Sequence, residues 1–558
     1  MPSWARAPSS RPKPTPSDFE HLLHPTALYR DFLTSPGRVR DFYPVDFRDP
    51  EAVSVSAAGR DYPADRRARV AAILRRQAEA LGVQDLSLEP LKRFERPNCL
   101  AVVAGQQPGL FGGPLYTLYK ALTAISLARN LEAASGRPVV PIFWVASDDH
   151  DFEEVRRAWL IDGGSEPSVL EYPAEAAPPG VSLSRVRLGP EIALLTDRVE
   201  SLLPASEFRD RVMGPLRAAY APGRSWTEAF ARFMAGLVTP LGALVFDPSD
   251  SEARALSLPV FEREVALMGN SSKAARERGE ELTRRGYHAQ IARAGNELNL
   301  FWHQETRDAV RVEGGGTLRV GAKGRSMKPE ALIAAIRARP EDASPGVLLR
   351  PMVQDYLLPT AVYVGGPSEV AYWAQVNALY PLFEMPAPAV APRAGATLLE
   401  PKVAKTLGRF GIEWTALAGD VEGVVSSSIG SLLPPDFPET FERERETWLQ
   451  SFERLKAKVV EFDPSLQAAV ATAARKVEHE GLGLERKLMQ VWKRRQEESV
   501  QQIRRARAHL FPEGRLQERV YSPVGYAARY GPELAAQLAA ALGAPGSHVL
   551  ISLGGSDQ

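Results

Sequence analysis

The apolar residues of the chain form short uninterrupted runs that alternate with longer stretches of helical periodicity. The first run, Leu100 to Ala104, contains no polar residue, which is typical of a strand buried on both faces. A glycine-rich segment ends this run, and Leu118, Leu122 and Ile125 then recur at helical spacing. Val139 to Val145 is the next apolar run. The pattern predicts a βαβ unit whose reactive side chains follow the carboxyl ends of its strands.

Later apolar runs repeat this arrangement. Leu241 to Phe246 follows a helical stretch from Trp226 to Leu237, Thr360 to Val364 ends in a Gly-Gly-Pro turn, and Ala389 to Ala391 is a short final run. A Gly-Gly-Pro turn also follows the first run, so two helix N-termini are expected beside each other at one sheet edge. The predicted fold class is α/β, with a doubly wound parallel sheet that carries inserted connecting segments.

The stretch from Phe437 to Leu510 differs from the rest of the chain. Apolar residues recur there at steps of three, four or seven, and Asp463-Pro464 interrupts the pattern. We therefore predict an α-helical antiparallel coiled-coil hairpin that forms a homodimer, because so narrow an apolar seam commonly pairs with a second copy. An arm that packs on its own domain is the alternative. The second-arm seam consists of Val470, Ala473, Val477, Leu484, Leu488, Val491, Ile503, Ala506 and Leu510.

The predicted organisation has four parts. Residues 1–18 are rich in proline, serine and arginine, which predicts a disordered tail. Residues 19–436 form the core, with insertions at about 155–220 and 270–345, and residues 437–510 form the hairpin. Residues 511–558 return to a globular pattern and are expected to pack back on the core.

Composition and charge narrow the function classes. Lys plus Arg and Asp plus Glu both number 68, so no global basic field attracts nucleic acid or anionic lipid. Cys99 is the single cysteine, which excludes an intramolecular disulfide and fits a reducing cytoplasm. No apolar run approaches a membrane span, and no signal-peptide core begins the chain. We expect a cytoplasmic protein that binds neither nucleic acid nor membrane.

The loop from Gly105 to Pro114 is a candidate anion-binding site. Unpaired N–H groups and the helix dipole favour phosphate or carboxylate at a helix start, and glycine allows close approach. Tyr116 and Lys120, one helical turn apart, would add a hydroxyl and a positive charge. An inert turn is the alternative, since neither a P-loop nor a complete GxGxxG is present. The candidate binding residues are Gly105, Gln106, Gln107, Gly109, Gly113, Tyr116, Lys120 and Asp148, with Gly365 and Gly366 at the second turn.

The tetrad Asp148-Asp149-His150-Asp151 is the more specific candidate. Three acids and a histidine at the end of a buried strand repel one another unless a cation or substrate offsets the charge. His150 would act as a general base, and Asp149 and Asp151 would hold an ammonium group or the Mg²⁺ that accompanies a nucleotide. The alternative is a helix cap, in which Asp148 or Asp149 precedes a helix that begins near residue 152.

Other residues are weaker candidates. Asp247 and Asp250 follow the third apolar run and would line the same crevice, although Asp250 fits an N-cap equally well. His288 and His303 show no metal-ligand spacing and are expected to be structural. Cys99 has no histidine near it in the sequence, which argues against a catalytic thiol. The tetrad and the glycine-rich loop therefore remain the leading candidates, with no protein-bound metal expected.

Four long blocks, in order, resemble the bacillithiol biosynthesis cysteine-adding enzymes, the BshC family. The blocks are GQQPGLFGGPLYTLYKA, PVVPIFWVASDDHDFEEV, LLRPMVQDYLLPTAVYVGGPSEVAYWAQ and LFPEGRLQERV, and they extend from about residue 101 to residue 519. The resemblance implies a Rossmann-like core related to nucleotidyltransferase-type synthetases, with inserted segments and a coiled coil that dimerises. Members of this family carry a histidine shortly after the DHDF block, where this chain has Arg157.

The resemblance also implies a reaction. The family joins L-cysteine to the free amine of glucosaminyl-malate, and amide formation from a carboxylate needs activation, so ATP is expected, with Mg²⁺ as its companion ion. On this scheme His150, Asp149 and Asp151 are the catalytic residues. The alternatives are another ATP-dependent amino-acid ligase or nucleotidyltransferase on the same scaffold, or a non-enzymatic scaffold built on the hairpin.

Overall fold

The structure, a computed structural model, describes residues 26–60, 62–83, 88–292, 295–303, 306–321, 324, 326–433 and 436–554. The predicted tail over residues 1–18 lies outside these ranges. The described chain divides into two compact units: the first takes in the chain up to Leu398 and again from Leu516, and the second is Leu399–Arg515. The division lies before residue 436, the predicted end of the core, because helices that follow Leu399 pack with the end of the hairpin region.

The strands alternate with helices through most of the first unit. In chain order the strands are β1 (Leu100–Gln106), β2 (Val139–Val145), β3 (Arg157–Ile161), β4 (Pro167–Glu171), β5 (Leu244–Phe246), β6 (Glu297–His303), β7 (Arg307–Val312), β8 (Leu318–Val320), β9 (Ser326–Met327), β10 (Ala343–Pro345), β11 (Thr360–Gly365), β12 (Ala389–Pro392), β13 (Gly395–Leu399) and β14 (His548–Ser552). The βαβ arrangement that the sequence predicts is thus present, and the connections between its strands contain further strands.

Helices occupy the connections and the whole second unit. In chain order they are α1 (Ala27–Thr34), α2 (Pro50–Ala58), α3 (Ala64–Ala80), α4 (Glu89–Phe94), α5 (Leu115–Ser135), α6 (Phe152–Val155), α7 (Glu191–Leu202), α8 (Arg209–Ala219), α9 (Trp226–Val238), α10 (Ser251–Leu256), α11 (Leu258–Leu267), α12 (Asn270–Arg284), α13 (Pro329–Ala338), α14 (Arg350–Leu357), α15 (Pro367–Val376), α16 (Pro401–Phe410), α17 (Val421–Gly430), α18 (Asp436–Phe462), α19 (Gln467–Arg495), α20 (Glu497–Leu510), α21 (Pro523–Tyr530) and α22 (Leu534–Ala541). In the described ranges, none of these helices is long and apolar enough to cross a membrane.

The central sheet has the strand order β12-β11-β1-β2-β5, and its neighbouring strands are parallel. The chain enters at β1 in the middle, builds β2 and β5 on one side, and returns to add β11 and β12 on the other. This order confirms the predicted doubly wound α/β fold. The order reverses between β1 and β11, and ligands of such sheets bind at that switch point, beyond the carboxyl ends of the strands.

Both faces of this sheet are covered, which explains the uninterrupted apolar runs. Phe143 packs in one hydrophobic core with Phe230 of α9, while Trp144 faces the opposite core, which contains Trp373 of α15. The third core strand begins at Leu244 rather than at the predicted residue 241. The reason is local, because a 3-10 turn ends at Leu241 and Gly242 then adopts φ 96°.

Two insertions interrupt the alternation of strands and helices. Between β2 and β5 the chain forms the antiparallel pair β3–β4 and helices α7 and α8. Between β5 and β11 it forms an antiparallel sheet of order β10-β6-β7-β8-β9. At the chain's end β14 pairs with β13, and the N–H of Gly395 donates to the carbonyl of Ser547 at 2.8 Å. The C-terminal segment therefore completes the first unit.

The second unit contains the predicted hairpin. Helices α18 and α19 run antiparallel, and a Cβ on Gly481 would come within 2.6 Å of the Trp448 ring, so glycine allows close helix contact there. Asp463 accepts the Ser465 N–H at 2.9 Å in the connecting turn. The second arm is shorter than predicted, because Gln496 leaves helical geometry and separates α19 from α20. The α20 positions, such as Ile503, are buried inside the unit.

Candidate active site

A cavity of about 580 Å³ lies at the carboxyl edge of the central sheet, where β1 and β11 adjoin. Side chains that follow four of the five strands line it, with further residues from β6, β7, the β10–α14 segment and the C-terminal segment. The structure therefore brings together parts of the chain that are far apart in sequence. The predicted candidates in its wall are Gly105, Gln106, Gln107, Tyr116, Lys120, Asp148, Asp149, His150 and Gly366.

A buried ion pair between Lys120 and Glu369 joins the two sides of the switch point. The Lys120 ammonium group, 2% exposed, donates to Glu369, to the carbonyl of Gly105 at 2.9 Å and to the amide oxygen of Gln106 at 2.6 Å. The other Glu369 oxygen accepts from the Tyr363 hydroxyl at 2.6 Å. Because every one of these groups has a defined partner, the pair fixes the α5 and α15 segments together at the cavity wall.

The electrostatics of this pair follow from its burial. Burial lowers the pKa of Lys120, and the carboxylate of Glu369 opposes that effect. Burial alone would raise the pKa of Glu369, but the charge of Lys120 and the hydrogen bonds from Lys120, Tyr363 and Gly366 lower it below its usual value. Glu369 is therefore ionised at neutral pH. Burial also raises the pKa of Tyr116 to about 12, so its phenol remains protonated.

The far half of the glycine-rich loop is structural. Gly109 and Gly113 do not appear among the described residues that line the cavity. Their loop turns into the hydrophobic core, where the Gly112 N–H donates to the Tyr220 hydroxyl at 3.1 Å. The N–H of Leu115, the first residue of α5, donates to the Tyr521 carbonyl at 2.9 Å. The N–H groups of Gly112 and Leu115 thus have protein partners, and neither is available to the anion predicted at this helix N-terminus.

Gly365 also lies outside the described cavity wall. It ends β11, and its carbonyl accepts the N–H of Arg393 at 2.8 Å. A Cβ there would come within 3.0 Å of the Glu369 side chain. The adjacent Gly366 N–H donates to Glu369 at 2.8 Å, so this donor is not available to a ligand. The second Gly-Gly-Pro turn therefore serves the Lys120–Glu369 pair rather than an anion.

The four residues of the acidic tetrad have separate environments. Asp148 pairs with the buried guanidinium of Arg254, and its charge is compensated inside the chain. Asp149 accepts the N–H groups of His150 at 2.7 Å and Asp151 at 3.2 Å with one oxygen. Its other oxygen accepts from the Gln107 amide at 2.6 Å. The Gln107 amide also donates to Glu154 at 2.8 Å, so it holds two carboxylates at one side of the cavity.

Asp151 has a structural role that the sequence assigned to its neighbours. Its carboxylate accepts the Glu154 N–H at 3.1 Å and caps α6, and Asp151 is not among the described cavity-lining residues. The predicted cap by Asp148 or Asp149 is therefore wrong by two or three positions. Asp250 likewise caps α10 and pairs with Arg76, outside the cavity wall. Arg157 begins β3, where its guanidinium pairs with Glu171 at 2.8 Å, also away from the wall.

Four arginines in the wall were not identified by sequence reasoning: Arg307, Arg350, Arg393 and Arg519. Arg393 is engaged by a buried, bidentate pair with Glu518 at 2.5 and 3.0 Å. Arg519 is exposed at the rim. These residues come from β7, α14, the end of β12 and the C-terminal segment. Arg350 and Arg519 lie inside the sequence blocks that resemble the family, so the resemblance could have identified them as candidates. Arg307 lies in an inserted strand outside those blocks, and no sequence pattern indicated it.

Arg350 has a buried donor that lacks a hydrogen bond of standard geometry. Its guanidinium packs 5.1 Å from the Tyr363 ring centre, and one terminal nitrogen donates to the Gln354 side chain at 2.9 Å. The other terminal nitrogen is buried and makes no hydrogen bond of standard geometry with a described residue, although the Tyr372 hydroxyl is a near neighbour of the guanidinium. A buried charged donor without a partner costs free energy, which an anionic ligand would recover.

The remaining candidates are structural. Asp247 is half-buried, accepts from Ser147 at 2.6 Å and has a pKa raised by burial of its carboxyl group. His303 contacts Ser344 at 2.9 Å, and burial lowers its pKa to about 3, so it stays neutral. Burial raises the pKa of Cys99 to about 11, which leaves the thiol protonated. His288 is exposed and does not appear in the described cavity wall.

The donor set of the cavity suits an anion with several oxygens better than a bare cation. The described chain contains no group of three His, Cys, Asp or Glu residues placed to hold a metal ion. The arginines would bind phosphate or carboxylate oxygens in the same way. A divalent ion would therefore arrive with a phosphate ligand, which supplies most of its coordination.

Comparison with known proteins gives a family match over almost the whole chain. Residues 18–394 match the model described as bacillithiol biosynthesis BshC, N-terminal Rossmann-like domain, and residues 396–552 match the BshC C-terminal coiled-coil domain. A relative named "Putative cysteine ligase BshC" from Salinibacter ruber is 34% identical, over 94% of this chain and 98% of that protein. A relative of the same name from Koribacter versatilis is 33% identical, over 95% of this chain and 97% of that protein. A third relative of this name, from Solibacter usitatus, is 32% identical over 93% of this chain and 95% of that protein.

The ion pair between Lys120 and Glu369 should contribute to the free energy of unfolding. Replacing Glu369 with Gln leaves the Lys120 charge buried without its partner, so the free energy of unfolding at pH 7 should fall by about 3 kcal/mol. The pKa of Glu369 is lower in the folded protein than its value of 4.5 in the unfolded chain. Its contribution to the free energy of unfolding is therefore complete above pH 4.5 and is lost as the pH falls through the lower, native pKa. The difference between wild type and variant in urea unfolding should therefore shrink below about pH 4.5.

Glu207→Gln is the matched control, since Glu207 is exposed in the same unit. It should unfold like the wild type at each pH. Equal stability of Glu369→Gln and wild type at pH 7 would show that the pair does not stabilise the fold.

Proposed function

The chain belongs to the bacillithiol biosynthesis BshC family, and we propose that it forms the amide bond between L-cysteine and glucosaminyl-malate. The observation that carries this proposal is the division of charge within one cavity at the switch point. Carboxylates held by Gln107 lie on the β2 side, where Arg307 contacts His150, and Arg350 and Arg393 lie toward β11 and β12. Glucosaminyl-malate combines an amine with two carboxylates, and this arrangement complements both.

The malate carboxylates are assigned to the arginine side. Arg350 presents the buried nitrogen that makes no hydrogen bond of standard geometry with a described residue, and Arg519 adds an exposed positive charge at the rim. Lys120 and Arg393 are less suitable, because each already pairs with a glutamate. Arginine binds a carboxylate through two parallel N–H donors, which also fixes the orientation of the sugar.

The amine is assigned to the acidic side. Asp149 and Glu154 attract an ammonium group, and the half-exposed His150 stands next to them at the cavity wall. The same carboxylates would orient the amine for attack once it has lost a proton. The reacting carboxyl of cysteine then lies between the two sides, near His150 and Gln106.

Activation of the cysteine carboxyl requires a co-substrate, for which we propose ATP with Mg²⁺. Phosphate transfer to the carboxylate would give an acyl-phosphate, or adenylate transfer an acyl-adenylate, and the amine would displace the phosphate or AMP. The uncompensated Arg350 donor and the rim Arg519 fit an anionic phosphate as well as a carboxylate. We place this reaction in the cytoplasm, where both ATP and free cysteine are available.

Purified protein incubated with glucosaminyl-malate, L-cysteine, ATP and Mg²⁺ should yield the cysteine conjugate, detected by mass spectrometry. Omission of ATP should abolish the product if ATP is the activator. A parallel scan of other amino acids and of nucleotide turnover separates this reaction from another amino-acid ligase or a nucleotidyltransferase. Absence of conjugate with verified substrates and varied cofactors would overturn the assignment.

Arg350→Gln tests the assignment of the malate carboxylates. Loss of a charge-assisted hydrogen bond costs about 1.5–3 kcal/mol, so KM for glucosaminyl-malate should rise about 10- to 100-fold while KM for cysteine stays unchanged. The loss should be absent with glucosamine as acceptor, because that amine carries no malate. Arg350→Lys should recover only part of the affinity, since lysine lacks the planar fork. An equal loss with both acceptors would contradict the assignment.

We further propose that α18 and α19 mediate homodimerisation. Of the predicted seam, Val477, Leu484, Leu488 and Val491 line one stripe of α19, and their exposed fractions are 39%, 51%, 36% and 48%. Their spacing of seven, four and three residues is the periodicity of a coiled-coil seam. A second copy presents the same stripe, so a two-fold pairing of hairpins would bury it.

Leu484→Glu combined with Leu488→Glu should convert a dimer to a monomer of 61.0 kDa in sedimentation equilibrium. Charges at two adjacent seam positions cannot be buried without a large cost, which explains the expected loss of pairing. Leu194→Glu, an exposed leucine of α7 in the other unit, is the control and should leave the dimer intact. A wild-type protein that sediments as a monomer at micromolar concentration would refute the proposal.

A further inference from the structure

The side chain of His150 faces a group that can only donate hydrogen bonds. Its Nδ1 atom lies 3.3 Å from the Nη1 atom of Arg307. A guanidinium group carries N–H donors and no acceptor, and it stays protonated in proteins. Nδ1 of His150 must therefore accept this hydrogen bond with its lone pair. In the neutral ring the proton then resides on Nε2.

Arg307 is held so that this contact is maintained. Its Nε donates to the Ser344 hydroxyl at 3.0 Å, and its Nη2 donates to the Pro345 carbonyl at 2.7 Å. The guanidinium also lies over the Phe301 ring, 3.9 Å from the ring centre. Three separate contacts thus fix the plane of the guanidinium while Nη1 is directed at His150.

The neighbouring carboxylate does not compete for Nδ1. The nearer Asp149 oxygen is 3.8 Å from Nδ1, which is too long for a hydrogen bond. That oxygen accepts the backbone N–H groups of His150 and Asp151 instead, and so fixes the backbone of His150. The histidine is held from two sides, with its backbone on Asp149 and its Nδ1 on Arg307.

We propose that Arg307 is a positioning residue that holds His150 in the Nε2–H form, so that His150 acts as a hydrogen-bond donor and not as a general base. This inference rests on the proposed amide-forming reaction. When the amine attacks the activated cysteinyl carbon, the new C–N bond forms and negative charge moves to the carbonyl oxygen. The Nε2–H group donates to that oxygen, in the manner of an oxyanion hole.

The proton released by the amine then needs another acceptor. Glu154 lines the same cavity, is exposed to solvent and receives a single hydrogen bond from Gln107. The amine proton goes to the Glu154 carboxylate and from there to water, while the carbon–oxygen bond to the phosphate or adenylate breaks. This assignment gives to Glu154 the general-base role that the sequence pattern had given to His150.

The resting tautomer can be measured without any substrate, so this test is independent of the proposed function. In protein labelled with ¹⁵N-histidine, the His150 ring should show an unprotonated Nδ1 and a protonated Nε2, with the resonances assigned by their loss in His150→Gln. Arg307→Met should shift the ring toward a mixture of the two tautomers. A protonated Nδ1 in the neutral ring of the wild type would overturn the inference.

The kinetic test compares two amides at position 150. The amide nitrogen of glutamine reaches the place of Nε2, whereas that of asparagine reaches the place of Nδ1, and neither can act as a base. A donor role predicts that His150→Gln keeps kcat within about 10-fold of wild type, while His150→Asn and His150→Ala lose about 100-fold or more. Equal loss in all three variants would identify a base and overturn the donor role. The side chain is half-exposed, so these variants are expected to fold.

A double-mutant cycle tests whether Arg307 acts through His150. Arg307→Met should lower kcat when His150 is present, but it should cause little further loss of kcat when His150 is already replaced by Ala. Full additivity would show that Arg307 binds substrate itself and would overturn the positioning role. Arg307→Lys serves as a second variant if the methionine variant does not fold, since it keeps the charge and loses the fixed fork.

Discussion

The buried pair of Lys120 and Glu369 is the constraint on which the rest of the site depends. It joins a helix that follows β1 to a helix that follows β11, at the point where the strand order of the sheet reverses. An ammonium group and a carboxylate can be buried together only when their other hydrogen-bonding capacity is satisfied, and here Gly105, Gln106 and Tyr363 satisfy it. The second Gly-Gly-Pro turn shapes this contact, whereas the first packs into the hydrophobic core, so the cavity is lined mainly by side chains rather than by free backbone donors.

Some charged side chains of the cavity wall are paired with oppositely charged residues of the chain, and the remaining charges are available to a ligand. Asp148 is paired with Arg254, and Arg393 is paired with Glu518. The charges that are not compensated in this way lie at opposite sides, with Asp149 and Glu154 near β2, and Arg350 and Arg519 toward β11 and β12. A substrate with an amine and two carboxylates fits that separation. Within the acidic tetrad one acid is in an ion pair and one caps a helix, while the third, Asp149, accepts three N–H groups and keeps its charge for a ligand.

The parts that the sequence predicted correctly depend on local pattern. Uninterrupted apolar runs located the strands of the central sheet, and two of the acids after β2, Asp148 and Asp149, lie in the cavity wall at its carboxyl edge. The missing parts depend on contacts between distant segments. Glu369 lies 249 residues from Lys120, and Arg307 lies 157 residues from His150. Gly109 and Gly113 lie outside the described wall for a different reason: their loop packs against the core, where Gly112 has φ 86° and a Cβ on it would meet Phe233 at 2.6 Å. The coiled-coil seam was identified by its period, but its end at Gln496 was not.

The central claim is that one cavity at the β1–β11 switch point binds glucosaminyl-malate with its malate at Arg350 and its amine at Asp149 and Glu154. A crystal structure of the protein with this sugar bound tests that claim most directly. The account predicts malate carboxylate oxygens within hydrogen-bond distance of the Arg350 guanidinium, and the amine within hydrogen-bond distance of Asp149 or Glu154. A sugar bound outside this cavity, or bound with its malate directed at the two carboxylates, would contradict the account.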